Sequence, residues 1–365
     1  MLIYFVTFFI SYKLFQISQK RKEIYIKRMC VAAAILLPSI LAGCRDYSIG
    51  TDVLEYGNNW FNYARWNNFI LYMKMTRSAD IGIGYAFVNY VVSVFTDNAH
   101  WFYFWLSMLT TWLVYKAVRD NDDLVDVPVA MLTYYLLFYN LSLNALRQSL
   151  AMAFGVCAFR YMRKQKGWGV IAFALLAMLA HETAVMVVLM YLIYIAINGQ
   201  WGRLAKWLVL IGATTVIIGF FPLVQLLVQT GILSSRYAGY ADTVFRGGGI
   251  VRLFFICLPW LAMLLLFTET NDFKKEKAAL VYYTIISTLI SFLAFRMAHI
   301  VRIAYYFDIY LIFTIPFIVK NCGITVKVKG KYGNKGFVIC FMLIYWVFVY
   351  GIRQSGETVP YLFMQ

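Results

Sequence analysis

Apolar segments close to 20 residues long recur from one end of this chain to the other, separated by short loops rich in lysine and arginine. No other feature constrains the fold as strongly. A helix of about 20 apolar residues matches the hydrocarbon thickness of a bilayer. Lipid offers no partner for unpaired backbone groups, so such segments fold as membrane helices. Composition agrees: of 365 residues, 62% are hydrophobic and only 14% charged, and mean hydropathy is +0.69. A soluble chain would carry about a quarter charged residues. The reading is an all-α, polytopic transmembrane helical bundle, one integral membrane domain over residues 1–365, with no soluble domain and no internal repeat. The opening LIYFVTFFI lacks a basic flank and a small-residue cleavage site, so it reads as a retained first span.

Topology turns on residues 81–97, which are apolar but short and glycine-containing. Counted as a full span, they place the Arg163–Lys166 turn outside, against the rule that basic loops stay in the cytoplasm. Read as a re-entrant or interfacial helix, they leave about 12 spans with both termini outside. The lysine-rich loops then fall inside, and two larger loops, 45–80 and 223–249, fall outside. The net charge of +16 is thereby explained by topology, and nucleic acid is not needed as a partner. The six cysteines are scattered, without ligand spacing, so no metal site is expected.

The outer basic residues are arginines, with Lys74 the exception, whereas the inner loops are mostly lysine. Lysine suffices as a topology signal. Arginine offers a planar fork that grips phosphate or carboxylate. The outer face is therefore equipped for an anionic partner, although arginines near helix ends also snorkel to headgroups. Two helices joined by the basic turn, over Asn144–Ala184, carry Arg147 at one end and His181 at the other, and both fall on the outer side. Asp52, after Gly50-Thr51, caps a helix, orients an arginine or accepts a proton from a hydroxyl. His181 can do the last of these too. Familiar motifs fail: His181-Glu182-Thr183-Ala184-Val185 lacks the second histidine of a zinc protease, and Gly247-Gly248-Gly249 lacks the Lys-Ser/Thr of a P-loop.

Five pieces, in order, resemble the EpsG-like, Wzy-type polysaccharide polymerases: Arg45…Gly50-Thr51-Asp52…Tyr56; Asn144-Ala145-Leu146-Arg147-Gln148; Ala180-His181 with Ala184; Arg236-Tyr237…Tyr240; and Arg302-Ile303-Ala304-Tyr305-Tyr306-Phe307. Two positions depart from the pattern: Glu182, where an uncharged residue is commoner, and Ala180, usually phenylalanine.

The resemblance implies a glycosyltransferase of the bacterial plasma membrane that joins undecaprenyl-diphosphate-linked repeats on the outer face into O-antigen, capsule or exopolysaccharide. No cofactor is implied. The partners are the lipid-linked glycan donor and acceptor, the bilayer, and a chain-length regulator. Arg147, Arg236 and Arg302, with Arg45, are expected to bind diphosphate. His181 or Asp52 is expected to be the base, with His181 preferred because it faces Arg147 across the helix pair. Asp46 is expected to orient Arg45, with Tyr56, Tyr237, Tyr240 and Tyr306 in support. A glycan ligase or a lipid-linked glycan flippase of the same pathway is the alternative.

Overall fold

A computed structural model describes residues 1–200, 202–219, 226, 229–230, 248–295, 300–321, 327–328, 331–332 and 334–364. Apart from an antiparallel hairpin of two-residue strands, β1 (Lys327–Val328) and β2 (Lys331–Tyr332), the regular structure among these residues is helical. The residues cluster into two compact units.

The first unit comprises residues 1–185, 315–320 and 325–365. It contains α1 (Leu2–Lys20), α2 (Ile24–Gly43), α3 (Asn59–Trp66), α4 (Phe69–Ser78), α5 (Ile83–Phe95), α6 (Ala99–Arg119), α7 (Val127–Tyr134), α8 (Asn140–Asn144), α9 (Leu146–Cys157), α10 (Phe159–Arg163) and α11 (Gly167–Ala180). A π-helical stretch, Tyr135–Tyr139, joins α7 to α8, and another, Val53–Asn58, leads into α3. The outer loop expected at 45–80 is thus largely helical.

The core of this unit is aromatic, and several of its hydroxyls find backbone carbonyls. Pro38 lies inside α2 and has no N–H to give the carbonyl four residues earlier, that of Ala34. The Tyr135 hydroxyl donates to that carbonyl at 3.0 Å, and Tyr139 donates to the Pro38 carbonyl. Trp346 Nε1 donates to Asn140 Oδ1 at 2.8 Å, Asn140 Nδ2 to Thr358 Oγ1 at 3.0 Å, and the Tyr4 hydroxyl to the Thr358 carbonyl at 2.7 Å. In a lipid-facing bundle, such bonds and close packing hold helices together, because apolar contact alone gains little there.

The second unit comprises residues 186–314 and 321–324. It contains α12 (Met186–Asn198), α13 (Gly202–Ile218), α14 (Gly248–Arg252), α15 (Leu258–Leu266), α16 (Lys274–Leu293) and α17 (Val301–Asp308), and it includes the start of α18 (Leu311–Asn321). The chain returns to the first unit before α19 (Asn334–Trp346). The π-helical stretch Leu253–Cys257 joins α14 to α15.

Among the described residues, four helical stretches are long and apolar enough to cross a membrane: Ile24–Gly43, Gly249–Leu266, Lys274–Leu293 and Lys335–Ile352. A fifth span arises if α17 and α18, bent by 40° at their junction, act as one. This is a membrane protein, but the helices do not by this measure reach the 12 spans expected. The reasons are local. The α9–α10 stretch breaks at Ala158, α11 has 14 residues, and the Tyr, Trp, Ser and Lys of α1 and α6 lower their apolarity. Helix α5 has 13 residues, about 20 Å at 1.5 Å per residue, too short to cross a ~30 Å core alone.

Candidate functional site

In the first unit, the segment after α2 wraps the C-terminal end of α8. Helix C-termini leave carbonyls without in-helix donors, and a cation there is favoured. Arg45 meets this need: its Nη1 donates to the Leu143 carbonyl at 2.6 Å, and its guanidinium lies 4.4 Å from the centre of the Tyr103 ring. Arg45 is 1% exposed, and burial pulls its pKa below the ordinary arginine value. The chain's final residues cover it, with Asp46 N donating to the Leu362 carbonyl and Met364 N to the Cys44 carbonyl, each at 2.9 Å. Asp46 does not orient Arg45. Its Oδ1 accepts from Ser48 N at 2.9 Å and from the Ser48 hydroxyl at 2.6 Å, and these bonds hold its carboxyl below the ordinary value.

Gly50 follows with φ +97°, a left-handed conformation that favours glycine. A Cβ here would also press within 2.6 Å of the Leu143 carbonyl oxygen. This close approach delivers Thr51 and Asp52 to Asn144. Asn144 Oδ1 accepts from the Thr51 hydroxyl at 2.7 Å and from the Asp52 amide at 3.1 Å. One asparagine therefore ties the first loop to the break at Ala145, immediately before Arg147 enters the first turn of α9.

Arg147 is half-buried. Its guanidinium lies 4.0 Å from the centre of the Tyr56 ring, and its Nη1 donates to the Asp80 carbonyl at 3.0 Å. Among the described residues no carboxylate pairs with it. Tyr56 is held in turn by its own carbonyl, which accepts from the Tyr85 hydroxyl at 2.6 Å. Asp52 lies one turn before Tyr56, and its amide is held by Asn144, three residues before Arg147.

The Asp80–Gly82 turn links Arg147 to the other end of the helix pair. Asp80, with φ +53°, supplies the carbonyl to Arg147. Two residues on, Gly82 packs so closely on the Ala180 carbonyl that no Cβ fits. His181 comes next, in extended conformation as the cap of α11, and the turn Glu182–Val185 packs against α9. His181 Nδ1 accepts from Thr183 N at 3.3 Å and pairs with Thr183 Oγ1 at 2.8 Å. With Nδ1 accepting, the neutral ring carries its proton on Nε2.

A family model described as the EpsG family matches residues 28–363. The chain belongs to the EpsG family. Membership supports a polysaccharide-polymerase type of role and an association with glycosyltransferase-like activity. No curated protein matches the chain. No solved structure matches it either.

The remaining expected residues divide in two. Arg302 and Tyr306 lie on α17 in the second unit, Arg302 exposed and Tyr306 buried. Arg236, Tyr237 and Tyr240 lie outside the described residues. Sequence reasoning missed Asn144 as an anchor, although it stood in the quoted motif. An Asn just before a helix start is a recognisable signal. It also missed Tyr85, the Asp80 carbonyl and the C-terminal cover over Arg45. Those are tertiary contacts across many residues, with no local pattern to reveal them.

Proposed function

We propose that this EpsG-family protein polymerises undecaprenyl-diphosphate-linked oligosaccharide repeats into a surface polysaccharide on the outer face of a bacterial plasma membrane. In this reading the chain crosses about 12 times, with both termini outside and α5 re-entrant. The observation that carries it is Arg147. It is half-buried, fixed by Tyr56 and the Asp80 carbonyl, and no described carboxylate pairs with it, so its remaining N–H groups suit a diphosphate. The arginine enrichment of the outer segments supports the same conclusion.

The chemistry moves one glycan. The bond between the growing chain's anomeric carbon and its diphosphate oxygen breaks. A hydroxyl of the incoming repeat forms the new glycosidic bond and loses its proton, and polyprenyl diphosphate leaves. Arginine stabilises the charge that develops on the departing group. His181, protonated at Nε2, donates a hydrogen bond to the same leaving group. Asp52, its amide held by Asn144, takes the hydroxyl proton in place of the preferred His181, whose Nδ1 is engaged by Thr183. Arg302, and Arg236 in the loop 223–249, are proposed as further diphosphate-binding residues. A chain-length regulator is a further partner.

The test is a surface-glycan gel from a strain lacking this protein, complemented with wild type, Arg147→Ala, His181→Ala or Asp52→Asn. Wild type should restore a ladder, and each variant should leave single repeats attached despite normal protein level. Complete loss of attached glycan in the deletion strain would indicate a ligase or flippase instead. Normal ladders from Arg147→Ala would refute the site.

A further inference from the structure

The second unit holds a buried ion pair that the proposed chemistry does not use. Arg252 ends α14 and Asp308 ends α17; they are 8% and 3% exposed. Arg252 Nη1 donates to Asp308 Oδ2 at 2.6 Å. Its Nη2 donates to Ser287 Oγ at 3.1 Å and its Nε to Ser291 Oγ at 3.3 Å, both on α16. The Ser287 hydroxyl donates to the other carboxylate oxygen, Asp308 Oδ1. All three guanidinium nitrogens and both carboxylate oxygens are thus engaged.

Charges inside a membrane protein are costly and seldom incidental. This one grips three helices at once. A planar fork meets its partners in one relative setting of α14, α16 and α17, and a slide or rotation of any of them breaks at least one bond. The chain needs such a fixture here. A π-helical stretch starts directly after Arg252, and the α17–α18 span bends by 40° directly after Asp308. Helix α17 also carries Arg302. The Arg252 guanidinium lies 5.7 Å from the centre of the Tyr305 ring, and Tyr305 is one helical turn from Arg302.

We infer that Arg252 and Asp308, with Ser287 and Ser291, form a register lock that sets the rotation of α17 and so positions Arg302 for the donor's diphosphate. The inference rests on the proposed role of Arg302. Arg252 and Asp308 are positioning residues and touch no substrate.

A buried pair kept only for stability is often replaceable by apolar residues of similar volume at no loss. The decisive variant is therefore the double substitution Arg252→Met with Asp308→Leu. Its membrane level and thermal midpoint should match the parent, while polymer formed per unit protein falls by roughly 100-fold, the scale of a small misplacement of a binding group. Arg252→Lys keeps the charge but not the fork and should lie between the two. A second readout is independent of activity. Arg302→Cys is labelled with a membrane-impermeant maleimide, above the background of the parent's own cysteines. Its rate should change when the double substitution is added. Wild-type polymerisation by the double variant, a loss explained entirely by protein level, or an unchanged labelling rate would each overturn the lock. Arg302→Ala separates the premises: if it polymerises normally, the role of Arg302 has failed, while labelling still decides whether the lock exists.

Discussion

Asn144 offers the most direct test of how the first loop is held. Its Oδ1 accepts two hydrogen bonds, from the Thr51 hydroxyl at 2.7 Å and the Asp52 amide at 3.1 Å. Asn144→Ala removes both acceptors. A net contribution of about 0.5–1.5 kcal/mol per bond gives ~1–3 kcal/mol of lost anchoring. Thr51 is exposed and water replaces its partner readily, so the lower half of that range applies. If catalysis requires the anchored loop, the rate should fall by about 10-fold, since 1.36 kcal/mol corresponds to a factor of ten. Asn144→Asp keeps the acceptor and therefore the anchor, but sets a negative charge beside Asp52. A like charge raises a carboxyl pKa, so this variant should lose activity at low pH and regain it as pH rises. The assay is the time course of chain growth by detergent-solubilised protein on lipid-linked repeats, normalised to protein. An Asn144→Ala enzyme that elongates at the wild-type rate would refute the argument that this asparagine positions Asp52.

Four further outcomes follow from the geometry. Arg147→Lys keeps the charge and loses the fork, so chain growth should fall roughly 10- to 100-fold on the scale of one or two charge-assisted hydrogen bonds, and a variant near the wild-type rate would show that the fork is not used. Gly82→Ala forces a methyl into the Ala180 carbonyl and should cost about 1–3 kcal/mol, read as a lowered thermal midpoint in detergent. Ending the chain before Thr358 removes the bonds from Tyr4, Asp46 and Met364 that cover Arg45, and should lower both stability and polymer yield; an unaffected truncation would assign the tail no structural part. On the opposite face of the same unit, Arg163 donates two bonds to Asp123 and holds its carboxyl below the ordinary 3.8. A depressed folded value means that this stabilisation is complete above pH 3.8 and is lost as pH falls through the folded value. The thermal midpoints of wild type and Asp123→Asn should differ slightly at neutral pH and converge below pH 3.8.

The helical character of the chain was legible because apolar runs and basic turns are local signals. The turn at Arg163–Lys166, for instance, does separate α10 from α11. The span count was less so. Hydropathy counts a stretch such as 145–162 as one segment, whereas the backbone breaks at Ala158. The segment 45–80 read as a polar outer loop because asparagine and tyrosine mask its period. Its helices instead bury rings inward, with Phe61 and Tyr72 fully covered while Trp66 stays exposed.

The arginines show why the site was only half legible. Enrichment of arginine on one face signals groups suited to planar, multidentate hydrogen bonding. It does not say what is gripped. Arg45 caps the end of α8 and stacks on Tyr103; Arg252 ties three helices together. Both are spent on the fold. Among the described residues, Arg147 is held by an aromatic face and a single carbonyl, which orient its guanidinium. The difference lies in burial. Arg45 and Arg252 are 1% and 8% exposed, closed in by the fold, whereas Arg147 is half-buried, and among the described residues no carboxylate pairs with it, which leaves an open side for an anion. The partners come from the π-helical stretch Val53–Asn58, the Asp80 turn, α6 and α16, tens of residues away in sequence. On this criterion Arg147 is the arginine whose removal should abolish activity while leaving stability nearly unchanged, and Arg45 the one whose removal should do the reverse first.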